Sequence, residues 1–498
     1  MKNKIKYIVV NSFILCLLAI MFPACDSDLG NYNYRDINEL SFKNFDTING
    51  YNVFTGDSLK LSPDLISSKG QEDNYSYEWS IHIPTSFVGY DSIISTEKNL
   101  KTKIRLNPGN YFLQYKVTDN QTNVLFHIRT NLLVSTPVYE GYMVLNDVDG
   151  KSRLDMLSYD NSAETFEQYT DVLQELESSL PEQGTPYQVL CMYASRFKET
   201  YGIYLLTDSG TNRLEGETFG WDPINNIRYQ MLGDVPTDFK ADHMTGTALY
   251  NNSYPMFFLY TNGNFYCNQD PLNSSFIRYI SINNYGNIND PFTASPYIVT
   301  TGNNTVMYDV DNRNFATIGF NKSSAAEVSV SLNYPTGYDL LYMEQSYSGS
   351  VYAILQHPST LKNYLLRFVI GQEQTYFEEI TGTAFENASH YAVSPDLGYL
   401  FYSVDGKVYE YDLSLKTSKL MIDKGGDEIT YLSFQNFFNR TGNANYENWA
   451  KWLTVGSYNG TEGTLEQYSI PPVNGQIIQT NQWTGFGKII SVSYRERG

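Results

Sequence analysis

The chain has 498 residues and carries 34 Lys and Arg against 54 Asp and Glu, a formal charge of −20. A surface this acidic argues against nucleic-acid binding, where affinity comes from Lys and Arg displacing counterions from phosphates. Only five His argue against a His-built metal enzyme, and 43 Tyr with 35 Gly suit a β-rich chain.

The N-terminus reads as an export signal. Lys2, Lys4 and Lys6 precede an apolar stretch from Tyr7 to Phe22. Sixteen residues are short for a membrane span, which needs ~20, and fit a signal-peptide core. The stretch ends in Phe22-Pro23-Ala24-Cys25, a small residue directly before a Cys. That is the pattern of a bacterial lipobox, in which the Cys25 thiol accepts a diacylglycerol and becomes the first mature residue. A plain secretory signal with an incidental Cys is the alternative. Acyl chains contributing ~0.8 kcal/mol per buried methylene would hold the protein on a membrane. Residues 1–24 are thus a leader, and 25–36, polar and rich in Asn and Gly, a tether. The mature cysteines Cys191 and Cys267 could pair once or stay as separate buried thiols.

Residues 37–136 alternate in short strands. Tyr77, Trp79 and Ile81 share one face of a strand, and Tyr111, Leu113, Tyr115 and Val117 share a face of another. About seven such strands in a hundred residues predict a two-sheet sandwich. The run Tyr77-Glu78-Trp79, followed by Gly109-Asn110-Tyr111 and Tyr115-Lys116-Val117-Thr118-Asp119, resembles a PKD domain. With Cys25-Asp26 and Leu29-Gly30-Asn31-Tyr32 upstream, the chain resembles the PKD-like lipoproteins of Bacteroidetes. Acidic residues just after Cys25 resemble the surface-export signal of such lipoproteins. The resemblance implies an outer-membrane, lipid-anchored protein facing outward, encoded beside SusC/SusD-type importers. It also implies that Trp79 and Tyr111 fill the sandwich core.

From 137 to 498 one unit recurs: an apolar strand, a Gly/Asn/Asp turn and an alternating strand. Units start near Gly141, Gly202, Pro255, Tyr297, Ser350, Gly398 and Lys451, every 42 to 61 residues. This is the period of a four-stranded propeller blade and predicts about seven blades. A pair of β-sandwiches or a β-solenoid is the alternative. The fold class is therefore all-β, an Ig-like/PKD-like sandwich followed by a β-propeller. One stretch breaks the pattern: Phe166, Tyr169, Leu173, Leu176 and Leu180 fall at helical spacing before Pro181, predicting a helix over 164–180.

Candidate chemistry is sparse. Asp147, Asp149 and Asp155 surround a Gly turn and offer oxygen ligands for Ca²⁺, although an Asp-Gly hairpin explains the same residues. Asp309 and Asp311 invite the same two readings. No serine-hydrolase elbow, P-loop or dinucleotide fingerprint is present, so no cofactor and no catalytic residue is assigned. Trp221, Trp449 and Tyr446 lie among Asn, Asp and Glu in predicted loops and are candidate ligand contacts, the rings covering apolar faces of a sugar or peptide. The expected function is an accessory subunit of a SusC/SusD-type importer that binds extracellular oligopeptide or oligosaccharide. A surface hydrolase acting on a polymer, or an adhesin without a small ligand, are the rivals.

Overall fold

The computed structural model describes residues 38–496 except 71–73, 85–88, 137, 161–162, 194–200, 247–255, 270–278, 302, 321, 439 and 474. The leader, Cys25 and the tether lie outside the described residues. Among the described residues no helix is long and apolar enough to cross a membrane. The fold divides into two compact units, one built on the N-terminal strands and one holding everything from Leu132 onward, with which 52–58 and 103–110 also group.

The N-terminal strands form a five-stranded sheet in the order Tyr51–Phe54, Val124–Ser135, Gly109–Asp119, Tyr75–Ile83 and Tyr90–Ser95, with two further strand pairs. Its centre is set by register: Trp79 lies opposite Tyr115 on the neighbouring strand. Both are fully buried, and their rings stack at 4.1 Å. Each ring keeps its polar atom bonded. The Trp79 indole N–H donates to the Glu97 carbonyl at 3.0 Å and the Tyr115 hydroxyl to that of Lys98 at 3.1 Å. The expectation for Tyr111 is corrected: it is half-buried near the start of its strand, and Tyr115, four residues on, is the core partner of Trp79.

The second unit is a β-propeller of seven sheets. Blades three to seven each use four consecutive strands. Their inner strands are His243–Gly246, Ala294–Thr300, Asp339–Gln345, His390–Val393 and Glu428–Phe434. Among the described residues blade two has three strands, Pro186–Tyr193 innermost, with two 3-10 turns at 223–230 following its third. Blade one takes its three outer strands, Gly141–Val148, Lys151–Asp160 and Thr165–Tyr169, from the start of the unit. Its inner strand, Lys488–Arg495, comes from the end. The ring is thus closed by hydrogen bonds between early and late chain, leaving only short outer edges.

The seven recurrent units of the sequence fall one to a blade. Six are hairpins of a blade's middle strands or of blade one's opening pair. The unit at Tyr297 sits one strand earlier, in the inner and second strands of blade four. The turn at Asn262-Gly263 has φ of 47° and 74°, as a two-residue hairpin with right-handed strand twist requires. Each gap between adjacent blades holds its own apolar cluster. Alternation supplies both faces of every blade, so each strand feeds two clusters.

The helix expected over 164–180 is corrected by this logic. Thr165–Tyr169 is the outer strand of blade one, and only Val172–Glu175 is helical, capped by Asp171. Phe166 packs into the gap with blade seven, whereas Tyr169, Leu173, Leu176 and Leu180 pack into the gap with blade two. The apolar residues that mimic one helical stripe face opposite sides of a blade. Cys191 and Cys267 are buried in different gaps and form no disulfide.

Candidate functional site

The acidic loops do not form a cation site. Asp147 accepts the Gly150 N–H at 2.8 Å, and Asp149 takes a left-handed φ of 54°, so both serve the hairpin turn. Asp155 is opposite Val144, several pairs from that turn, and is fully buried. Its carboxylate accepts from Arg153 Nε (2.9 Å) and Nη2 (2.7 Å), the Asp171 N–H (2.9 Å) and Asn146 Nδ2 (3.0 Å). Burial still pushes its pKa up, with Arg153 opposing. Asp309 is likewise spent on Asn312 and the Tyr285 hydroxyl, and Asp311 on the Thr293 N–H. Among the described residues no group of three or more His, Cys, Asp or Glu could hold a metal ion.

The aromatic candidates are corrected too. Tyr446 and Trp449 lie on the short helix Ala444–Trp449, at 1% and 5% exposure, in the gap between blades seven and one. Tyr446 stacks on Phe437 at 4.8 Å and donates its hydroxyl to Glu140 at 2.7 Å. Trp449 packs against Tyr159 and Phe166. The polar neighbours that suggested a ligand platform are local fasteners: Asn443 caps the helix, and Glu447 accepts the Gly442 N–H. Trp221 is half-buried over the gap between blades one and two, and its indole N–H donates to Asn212 at 3.1 Å. None of the three lines the channel described next.

The inner strands surround a cavity of about 910 Å³. Side chains link the inner strands of neighbouring blades. Gln188 bonds the Met244 backbone in both directions, at 2.9 and 2.8 Å. Gln345 accepts the Thr300 N–H at 3.2 Å and Gln435 the Tyr494 N–H at 3.1 Å. Ser493 accepts the Cys191 N–H at 2.9 Å. Between blades five and six the bridge is a carboxylate: Glu344 Oε2 accepts the Val393 N–H at 2.8 Å and the Tyr342 hydroxyl at 2.6 Å. Burial pushes the Glu344 carboxyl up to about 7, against both hydrogen bonds.

Tyrosines gather at this point. Tyr297, Tyr342 and Tyr391, from three consecutive inner strands, line the channel with ring centroids 5.3 Å and 5.2 Å apart in sequence. Tyr431 joins from blade seven, its hydroxyl on the Val492 carbonyl at 3.2 Å. A side cavity of about 540 Å³ opens here, with Phe385, Glu386 and Ser389 among its walls. Nearby, His390 Nδ1 lies 3.0 Å from Ser389 Oγ and 3.1 Å from Ser403 Oγ. Burial lowers the His390 pKa, with Glu428 opposing, and Glu428 pairs with Lys488 at 2.8 Å. The arrangement offers flat apolar rings, hydroxyls and the carboxylates of Glu344, Glu386 and Glu428 in a confined space, which suits holding an organic ligand. Sequence reasoning missed it because the residues come from four blades and share no local motif.

Comparison with known proteins follows the same division. No curated protein matches the sequence. Among solved structures, a quinonprotein alcohol dehydrogenase-like protein of Bacteroides thetaiotaomicron is similar at 14% identity, covering 89% of this chain and 96% of its own, with a TM-score of 0.46. The extracellular domain of a hybrid two-component system of the same organism is similar at 11% identity, with 64% and 39% coverage and a TM-score of 0.36. A GH74 xyloglucanase from Xanthomonas campestris is similar at 10% identity, with 59% and 45% coverage and a TM-score of 0.35. Residues 25–179 match the PKD-like family, a span that takes in the sandwich and runs on through the three outer strands of blade one. A PKD-like family domain is therefore found at the head of a chain whose larger part is a seven-bladed propeller.

Proposed function

We propose that this is a surface lipoprotein, anchored in the outer membrane through Cys25, that captures extracellular oligopeptide or oligosaccharide as an accessory subunit of a SusC/SusD-type importer. The observation that carries the capture role is the tyrosine-lined stretch of the propeller channel with its side cavity. Rings of this kind cover the apolar faces of sugars and peptides, and the adjoining hydroxyls and amides satisfy their polar groups. The leader and the acidic residues after Cys25 support the address, and the PKD-like domain supports the importer association. The test is affinity purification of the anchored protein from its native membrane in mild detergent, with mass spectrometry of what is retained. Recovery of a SusC/SusD-type pair is expected, and recovery of the lipoprotein alone would overturn the importer role.

The contact between Ser389 and His390 favours a second reading, a surface hydrolase. In that case Ser389→Ala or His390→Ala would abolish turnover of a glycan or peptide substrate. In the capture reading no turnover is seen with the parent or with either variant.

A further inference from the structure

We propose that Glu344 and the tyrosines around it form a seat for a primary ammonium group of the captured ligand. The inference rests on the capture reading above and specifies its chemistry. The strand-bridging task that Glu344 performs is done by neutral amides elsewhere on the wall, at Gln188, Gln345 and Gln435. An amide would satisfy the Val393 N–H equally well. The carboxylate therefore adds something that the fold does not need, a negative charge on the channel wall.

That charge has no counter-ion of its own. Glu344 forms no ion pair among the described residues, the two hydrogen bonds described above both use Oε2, and the residue lines the cavity. The titratable groups lining the channel and its side cavity with it are Tyr297, Tyr342, Tyr391, Tyr431, His243, His390 and Glu386, with the Glu428–Lys488 pair. Burial keeps both histidines from charging at neutral pH, His243 at about 4 and His390 lowered. Lys488 is already held by Glu428 at 2.9 and 2.8 Å. A cation entering here meets the Glu344 carboxylate, the Glu386 carboxylate in the side-cavity wall and the negative faces of several aromatic rings, a combination that favours ammonium groups over neutral ones. The amine could be the N-terminus of a peptide or the 2-amino group of an amino sugar, and the same chemistry serves both.

The test is calorimetric titration of the mature protein with trialanine, N-acetyl-trialanine, a glucosamine trimer and an N-acetylglucosamine trimer. One amine-bearing probe is expected to bind, and which one does names the source of the ammonium. Its acetylated form is expected to bind at least tenfold more weakly. Glu344→Gln, whose amide oxygen still accepts the Val393 N–H, is expected to melt like the parent and lose the same factor. Because a proton competes for the carboxylate, affinity should rise about tenfold between pH 5.5 and 7. Equal binding of acetylated and free probes, unchanged binding by Glu344→Gln, or no binding of either amine probe would overturn the ammonium seat. If an acetylated probe binds the parent and is lost in Tyr342→Ala, the channel still captures ligand and only the ammonium inference falls. If bound probes ignore both substitutions, the channel reading falls with it.

Discussion

Glu140 is where ring closure can be tested with one substitution. Its side chain is 7% exposed, and one carboxylate oxygen accepts two phenolic hydroxyls, Tyr446 at 2.7 Å and Tyr494 at 2.9 Å. Tyr446 belongs to blade seven, Tyr494 to the late strand that completes blade one, and Glu140 immediately precedes that blade's first outer strand. A hydrogen bond to a carboxylate contributes about 1.5–3 kcal/mol, and Glu140→Ala strands both hydroxyls in a buried site, so the expected loss is about 3–6 kcal/mol. Glu140→Gln keeps an acceptor oxygen and should cost about 1–2 kcal/mol. The backbone carbonyl of Glu140, which accepts the Tyr159 N–H at 2.7 Å, survives both changes. The assay is guanidinium unfolding of the mature protein, with unfolding rates measured alongside because a two-unit chain need not behave as two-state. Tyr446→Phe should cost less in the Glu140→Ala background than in the parent, since its bond to Glu140 is already gone. A loss below about 1 kcal/mol for Glu140→Ala, or simple additivity in that cycle, would refute the closure argument.

Three further outcomes are expected. Trp79→Ala should destabilise the N-terminal unit by about 3–5 kcal/mol through the cavity beside Tyr115, while ligand binding by the propeller is unchanged; unfolding curves and titration of the same sample check both. Calcium or a chelator should leave the melting temperature where it is, because Asp147 and Asp155 are committed to the turn and to Arg153; a calcium-dependent rise would reinstate the site. Stability should fall as pH rises from about 6.5 to 8, whereas below about 6.5 the buried His243 and His390, which the unfolded chain protonates, offset the trend. Burial pushes the Glu410 and Glu344 carboxyls up to about 7, so the native state holds protons that the unfolded chain has released over that window. Glu410→Gln should flatten the slope, and an unchanged slope would show that the proton sits elsewhere.

Much of the architecture was legible because it is written locally. Alternation with a tight turn, as at Asn262-Gly263, announces a hairpin, and seven such signals at blade-like intervals announce a ring. The same local reading failed where a residue's role depends on distant chain. Phe166 and Leu173 share a helical stripe in the sequence but serve opposite blade faces. Trp449 and Tyr446 look like loop aromatics until blade one closes over them. Asp147 and Asp155 are eight residues apart yet separated by the hairpin's own register. The channel was the least legible part. Tyr297, Tyr342, Tyr391 and Tyr431 lie 40–49 residues apart, one to a blade, and with 43 tyrosines in the chain nothing local singles them out.

The strand at Lys488–Arg495 pairs with Gly141–Val148 across more than three hundred residues. Until it arrives, the opening strands of blade one have no inner neighbour, and Gly141–Val148 presents an unpaired edge. During synthesis that edge must wait for all six other blades, so closure is a late event with a large loop-entropy cost. Arg495 then locks the join from a fully buried position, its guanidinium donating to the Val138 and Gly216 carbonyls and lying over Phe219. A chain interrupted anywhere before this strand therefore forfeits the ring and not merely one blade, and exposes an edge able to pair with another copy.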